Sequence, residues 1–220
     1  MNATSVGLIA LGYLIGSVPT GLMLVRWLAG TDIRDHGSGN MGTVNVLRVA
    51  GPAVAAIVLV ADMLKGFVPV WLAIDRGAGS WIIVLCGLAA IAGHNWSVFL
   101  RFRGGRGIAT SFGVLLGLSL KVALIAAAVW IIVVALTRYS SLGSLLAVIS
   151  VPVALWRTGA SDAYVVFGVI AAVFAVIRHR SNIERLMRGT ERRITDRERP
   201  KDQEPPKHGK RPDDREPPKP

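Results

Sequence analysis

Residues 1–177 contain five aspartates, no glutamate and only 11 Lys/Arg. Between these sparse charges run apolar stretches of about 20 residues, the length an α-helix needs to cross the hydrocarbon core of a bilayer. A soluble domain spreads charge along its whole length to cover its surface, so this pattern excludes one. It also leaves too few basic groups for a nucleic-acid-binding stripe, and no nucleic-acid partner is expected. The single cysteine, Cys86, sits inside an apolar run and excludes a disulfide scaffold. What remains is an all-α, polytopic integral membrane protein.

The length of the apolar part allows about seven transmembrane helices, expected at 4–28, 51–74, 80–99, 108–120, 122–137, 142–156 and 162–178. The fourth is short, and 108–137 reads either as two short spans or as one long helix. No Lys or Arg precedes Arg26, so the start of the chain lacks the basic region of a secretory signal. Arg26, Arg34 and Arg48 follow the first span, which puts the N-terminus outside and the first loop in the cytoplasm. The connections 29–50, 100–107 and 138–141 then hold Arg34, Arg48, Arg101, Arg103, Arg106 and Arg138. The outer ones hold Arg76, Lys121 and Arg157. Seven spans place the basic C-terminus inside. Trp27, Trp71, Trp81, Trp96 and Trp156 fall near span ends, where indole rings prefer the interface.

Of the +11 net charge, +5 lies on residues 178–220, and seven of the 11 prolines follow position 199. Two regions result: an integral membrane domain over 1–193 and a charged, Pro-rich, disordered cytoplasmic tail over 194–220.

The polar residues of the membrane part cluster in four islands. The first runs from Asp32 to Arg48 and offers Gly37, Ser38, Gly39, Asn40 and Asn45, a set of backbone amides, hydroxyl and amide donors closed by Arg48. Glycines let backbone N–H groups converge on an anion. The second is Arg101-Phe-Arg-Gly-Gly-Arg-Gly107 leading into a helix that begins near Ile108, with Thr110 in its first turn. A Gly-rich turn feeding a helix N-terminus suits phosphate, through free N–H groups and the positive end of the helix dipole. Here Gly104, Gly105 and Gly107 form the cradle and Arg106 the charged fork, while Arg101 or Arg103 serves as an interfacial anchor. The spacing is not that of a nucleotide P-loop.

The third island is Asp62 and Lys65, one turn apart in mid-span, where ionisable groups are expensive. They read equally as a self-satisfying ion pair or as functional groups, with Lys65 then a phosphate ligand. His94, at the end of the third span, is a supporting group beside the second island. The fourth runs from His179 to Glu191. His179, Asn182 and Arg185 share one helix face there, and Arg178, Arg180 and Arg188 read as interfacial anchors. No Cys/His cluster has metal-ligand spacing, so no metal or cofactor is expected.

These motifs are Gly37-Ser-Gly-Asn40 with Asn45-Val-Leu-Arg48, Asp62-x-x-Lys65-Gly66, Gly93-His94 with Gly104-Gly-Arg-Gly-Ile-Ala-Thr110, and His179-x-x-Asn182-Ile-x-Arg-Leu with Gly189-x-Glu191. In that order they resemble the bacterial acyl-phosphate:glycerol-3-phosphate acyltransferase family from Gly16 to Glu191. The resemblance implies an inner-membrane enzyme that moves a fatty acyl group from acyl phosphate to the 1-hydroxyl of sn-glycerol 3-phosphate. The implied product is lysophosphatidic acid, made without coenzyme A or metal at the cytoplasmic face. It further implies that Ser38 and Arg48 are essential, that the second-motif glycines hold the phosphate of glycerol 3-phosphate, that His179 and Asn182 are catalytic, and that Glu191 is structural. The chain departs from the family pattern at Thr43-Val44 for Ala-Thr, at Arg106 for Lys, and at Trp96-Ser97 for Phe-Pro.

The implied partners are thus acyl phosphate, glycerol 3-phosphate and membrane lipid, and no protein partner is inferred. A transporter of an organic phosphate is the alternative. It would explain the Arg/Gly islands, but its site would lie at mid-membrane between internal repeats, and the chain has no repeat. A metal-dependent phosphotransferase would need paired acidic turns, and only Asp32 and Asp35 come close.

A tail that builds no core contributes nothing to the membrane domain. Deleting residues 197–220 is therefore expected to leave membrane insertion and acyl transfer within about twofold of the full chain. An inserted but inactive truncation would contradict it.

Overall fold

The computed structural model describes residues 2–196. Among them every regular element is helical: α1 Ala3–Ser17, α2 Thr20–Ala29, α3 Thr43–Asp75, α4 Ser80–Asn95, α5 Ile108–Leu118, α6 Leu120–Thr137, α7 Ser140–Arg157, α8 Asp162–Arg178 and α9 Arg180–Met187. One 3-10 turn, Ile33–Asp35, follows α2 and another, Val98–Leu100, follows α4. The chain is an all-α, multi-pass membrane protein. Five stretches are long and apolar enough to cross a bilayer: Ala3–Ala29, Thr43–Asp75, Ser80–Leu100, Leu120–Thr137 and Ser140–Arg157. A sixth is α8 with α9, a pair bent by 63°. At 11 residues α5 covers only about 16 Å, roughly half the hydrocarbon thickness.

Breaks in the helices mark three of the expected spans. The first is broken: Pro19 has no N–H to continue the helix, so α1 ends at Ser17 and α2 restarts at Thr20. The freed Ser17 carbonyl is not left bare, because Ser97 Oγ donates to it at 2.5 Å. Residues 43–50 form a short helix of their own, so Asn45 and Arg48 stand on a helix and not on a loop, and non-helical Gly51 separates it from the helix that continues to Asp75, where the second span was expected. The chain bends at Gly51, whose φ of 82° suits a residue without a side chain, just before Pro52. The region 108–137 is two helices that share Ser119 as end and start, and Ser119 Oγ caps α6 by accepting from the Val122 N–H.

Small residues bring the helices together. A Cβ on Gly16 would overlap the Ala90 carbonyl, and one on Gly93 the Tyr13 carbonyl, so α1 and α4 approach backbone to backbone. Gly66 against the Thr110 carbonyl and Gly113 against the Met63 carbonyl do the same for α3 and α5. Gly168 fits the notch at Pro152 that joins α7 to α8. The resulting core runs from Val70, Val84 and Ile91 through Val114 and Val122 to Leu155 and Phe167.

The connections that carry polar islands meet at one end of the bundle. Arg178 bonds the 104–105 turn, Arg48 Nη2 donates to the Arg193 carbonyl at 2.8 Å, and the Ile194 N–H donates to the Arg138 carbonyl at 2.8 Å. So α5 starts and α6 finishes at the same end, and the two are antiparallel. Ile194 to Asp196, the first residues of the expected tail, belong to this layer. The tail from 197 lies outside the described residues.

Candidate active site

The first loop is organised from within by Asn45. This side chain, 3% exposed, accepts the Ser38 N–H at 2.9 Å through Oδ1 and donates through Nδ2 to the carbonyls of Asn40, His36 and Ile33 at 2.9, 3.0 and 3.3 Å. Asn45 is therefore committed to the loop, which corrects its reading as a phosphate ligand. Gly37, with φ at 59°, has no room for a Cβ beside the Asn45 amide oxygen. Asn40 Oδ1 accepts the Gly42 N–H and turns the chain into α3. Ser38 and Gly39 are left on the exposed crest.

The second loop rests on His94. Gly105 N–H donates to the His94 carbonyl at 3.0 Å, and a Cβ on Gly104 or Gly105 would strike His94. Gly107 adopts φ 76° over the Asn95 amide and opens α5. The first N–H of α5 to find a partner in this turn is that of Ser111, bonded to the Gly107 carbonyl. Those before it are the orphan donors of a helix start. Arg106 makes no hydrogen bond or ion pair with any described residue. Burial pushes its guanidinium down to about 10, with Glu191 opposing and Arg185, Arg178 and Arg48 adding to the fall, and it stays charged at pH 7. Thr110 is fully buried beneath the loop, and neither its Oγ1 nor the Asn95 amide has a partner among the described residues.

Below both loops lies a buried polar cluster. Lys65 Nζ donates to Asp62 Oδ1 at 2.7 Å, Thr20 Oγ1 donates to the same oxygen at 2.6 Å, and His94 Nδ1 lies 3.8 Å from it. Lys65 is 5% exposed. Its ammonium pairs with Asp62, which favours the ion-pair reading of this island. The cleft above the cluster is shared by Met41 of the first loop and Gly105 of the second.

The fourth island closes the layer. His179 is 2% exposed, and its Nδ1 lies 2.8 Å from the Ala175 carbonyl. A carbonyl only accepts, so Nδ1 carries the hydrogen and Nε2 is the basic nitrogen. Glu191 joins α7 to α9: Oε1 accepts from Ser141 Oγ at 2.7 Å and Asn182 Nδ2 at 2.6 Å, and Oε2 accepts from Arg185 Nε at 2.7 Å. Burial by itself raises this carboxyl, but those three bonds and the Arg185 charge hold it below the usual carboxylate range. The other face of Asn182, its buried Oδ1, has no partner among the described residues, and neither does Arg48 Nε. Arg48, Arg178, Arg185 and Glu191 all act on the Arg106 guanidinium, and Arg106, Arg178 and Glu191 act on His179.

The profile of the glycerol-3-phosphate acyltransferase family matches residues 6–189. This chain belongs to that family. A relative named glycerol-3-phosphate acyltransferase from Desulforudis audaxviator (strain MP104C) is 50% identical over 198 residues, covering 90% of this chain and 100% of its own. One from Synechococcus sp. (strain CC9902) is 46% identical over 197 residues, covering 90% and 98%. Two crystal structures of PlsY (YgiH), described as an integral membrane glycerol 3-phosphate acyltransferase, have the same fold at 36% identity and cover 87% of this chain. The glycerol 3-phosphate form has a TM-score of 0.84 and is covered to 96%, and the lysophosphatidic acid form has a TM-score of 0.82 and is covered to 95%.

Within this acyltransferase, sequence reasoning missed three contacts. Ser141 looks like an ordinary small residue at a helix start, yet it holds Glu191. Thr20 follows the Pro19 break and reaches the buried Asp62. Arg178 looks like an interfacial anchor, yet it bonds both Gly104 and Gly105. No local signal marks these pairings, since each joins positions at least 42 residues apart.

Glu191→Gln puts an amide N–H among donors and removes the charge facing Arg185. Charge-assisted bonds contribute about 1.5–3 kcal/mol each, so a loss of at least about 2 kcal/mol is expected. The carboxyl is depressed in the folded state, so its contribution is present above the ordinary carboxylate pKa of about 4.3 and lost as pH falls below it. Thermal unfolding in detergent should show a gap between wild type and Glu191→Gln at pH 7 that narrows below about pH 4. A gap independent of pH would contradict the charge argument.

Proposed function

We propose that this chain transfers a fatty acyl group from acyl phosphate to the 1-hydroxyl of sn-glycerol 3-phosphate, giving lysophosphatidic acid and inorganic phosphate. Both substrates are phosphate anions that repel each other in water. The observation that carries the reading is Arg106, a half-buried guanidinium with no hydrogen-bond or ion-pair partner among the described residues, beside the amides that open α5, which have none there either. That combination suits a phosphate. The relatives' names and the two ligand forms of PlsY favour glycerol 3-phosphate and its acylated product as the pair of ligands.

In this reading Gly104, Gly105, Arg106 and Gly107 hold the phosphate of glycerol 3-phosphate. Ser38, Gly37, Gly39 and Asn40, with Arg48, face the second phosphate. Asp62, Lys65, His94, Asn45, Thr110 and Glu191 support these groups from behind. The hydroxyl oxygen attacks the acyl carbonyl carbon, its proton passes to His179 Nε2, and the bond from that carbon to the phosphate oxygen breaks. Phosphate leaves with the electron pair. Asn182, on the same helix face as His179, orients the reacting hydroxyl through its free Oδ1. An acyl phosphate is already activated, so no enzyme nucleophile is needed. Holding two like-charged reactants together is the larger part of the task. The connections at this end are too short for the separate surface that the nucleotide of acyl-CoA would need.

Detergent-solubilised protein given acyl phosphate and glycerol 3-phosphate should produce lysophosphatidic acid, and acyl-CoA should not replace the donor. Arg106→Ala should lower kcat/KM by roughly 10- to 150-fold. His179→Ala should lower kcat by about 100-fold or more with little change in the KM for glycerol 3-phosphate. Turnover with acyl-CoA alone would refute the donor. An unchanged kcat in His179→Ala would move the proton to the leaving phosphate.

The reading places the protein in the bacterial inner membrane with seven crossings, N-terminus outside and active site cytoplasmic. The α1–α2 pair would be the first crossing, and each of α3 to α8 one more. The membrane part, 1–193, would carry the reaction, and the tail none of it. Arg34, Arg48, Arg101, Arg103, Arg106 and Arg138 lie toward the site end, whereas Arg76, Lys121 and Arg157 lie toward the other, which supports that orientation. In a Cys86→Ala background, Arg103→Cys should react with an impermeant thiol reagent only after the cell is opened, and Arg76→Cys in intact cells. The reverse pattern would invert the topology.

A further inference from the structure

We propose that Arg178 is a positioning residue: it fixes the peptide planes of the Gly104–Gly107 turn so that the Arg106 amide and guanidinium face the bound phosphate. The inference rests on the phosphate-cradle reading above and adds a residue to it.

Glycine is the most conformationally free residue, and three of the four positions in this turn are glycine. Glycine is required there, because His94 leaves no room for a Cβ at 104 or 105. A turn so composed does not hold its own geometry, and something outside it has to. Arg178 donates through Nη2 to the Gly104 carbonyl at 2.7 Å and through Nε to the Gly105 carbonyl at 2.9 Å. In a trans peptide the C=O and the following N–H point opposite ways, and none of the described peptides is cis. In the first peptide, Arg178 holds the carbonyl and the His94 carbonyl holds the Gly105 N–H, so both ends are fixed. In the second, Arg178 holds the Gly105 carbonyl, so the Arg106 N–H is turned to the opposite side. It has no acceptor there among the described residues.

The guanidinium is itself held. It lies 5.9 Å from the Trp96 ring centroid; that ring meets Phe174 edge-on at 5.3 Å, and the Trp96 carbonyl accepts from Tyr13 OH at 2.8 Å. A lysine keeps the charge but not the rigid fork that spans two successive carbonyls. Arg178 also precedes His179 in the chain, so one helix end sets both the cradle and the basic nitrogen.

The full chain in detergent provides the test, with Arg178→Gln, Arg178→Lys, Arg106→Ala and the Arg106→Ala/Arg178→Gln double variant. Arg178→Gln should raise the KM for glycerol 3-phosphate about 10- to 100-fold and leave the KM for acyl phosphate within about twofold. Arg178→Lys should recover part of the loss. The double variant should be worse than Arg106→Ala by clearly less than Arg178→Gln costs alone, because the two share the guanidinium contact while the amide at 106 remains. Independently of turnover, amide exchange in peptides spanning 103–110 should quicken in Arg178→Gln and not elsewhere. Unchanged exchange there, fully multiplying effects in the double variant, or an equal rise in both KM values would each overturn the proposal. If the wild type makes no lysophosphatidic acid, the function reading fails, and the exchange measurement still decides whether Arg178 holds the turn.

Discussion

Four guanidinium groups crowded at the end of an apolar bundle repel one another, and Glu191 is the carboxylate that lets them stay. Arg48, Arg106, Arg178 and Arg185 all act on this neighbourhood. Only Arg185 spends its charge on Glu191 through a direct bond. Because the same carboxylate takes Ser141 and Asn182, it also joins the start of α7 to α9. The joint settles where His179 lies, since His179 is the residue between α8 and α9. Removing this one group would strand two neutral donors and one cation together, which is why the layer depends on it more than on any single arginine.

The membrane bundle was legible because apolar runs of this length admit few other structures. The four islands were legible for the complementary reason: a polar residue in such a chain has to be paired, functional or at an end. What could not be read was the use of each group. Asn45 and Lys65 carry good anion donors, but Asn45 is turned onto its own loop and Lys65 is paired with Asp62. Arg178 has the ordinary look of a cation at a helix C-terminus. Its task is visible only when the turn 73 residues earlier is beside it. The break at Pro19 was hidden within an apolar run because Ser97, distant in sequence, satisfies the carbonyl it frees.

The polar layers differ in charge balance, and that separates support from binding. In the deep layer the Asp62 carboxylate meets the Lys65 ammonium, with Thr20 and His94 filling in. Charges buried at that depth persist only when they cancel, so this layer attracts nothing further and serves as a floor for the Gly104–Gly105 turn. In the upper layer Arg48, Arg106, Arg178 and Arg185 outnumber the carboxylates Glu191 and Asp196, and Arg106 and the first amides of α5 have no hydrogen-bond partner among the described residues. An excess of that sign at the edge of a low-dielectric bundle draws anions strongly. Two phosphate groups brought side by side would supply the missing negative charge. Each would be stabilised most when the other is present, because each cancels part of the repulsion among the guanidiniums. The field that assembles the two substrates is thus the one the bundle needs filled, and transfer of the acyl group follows from their being held at contact.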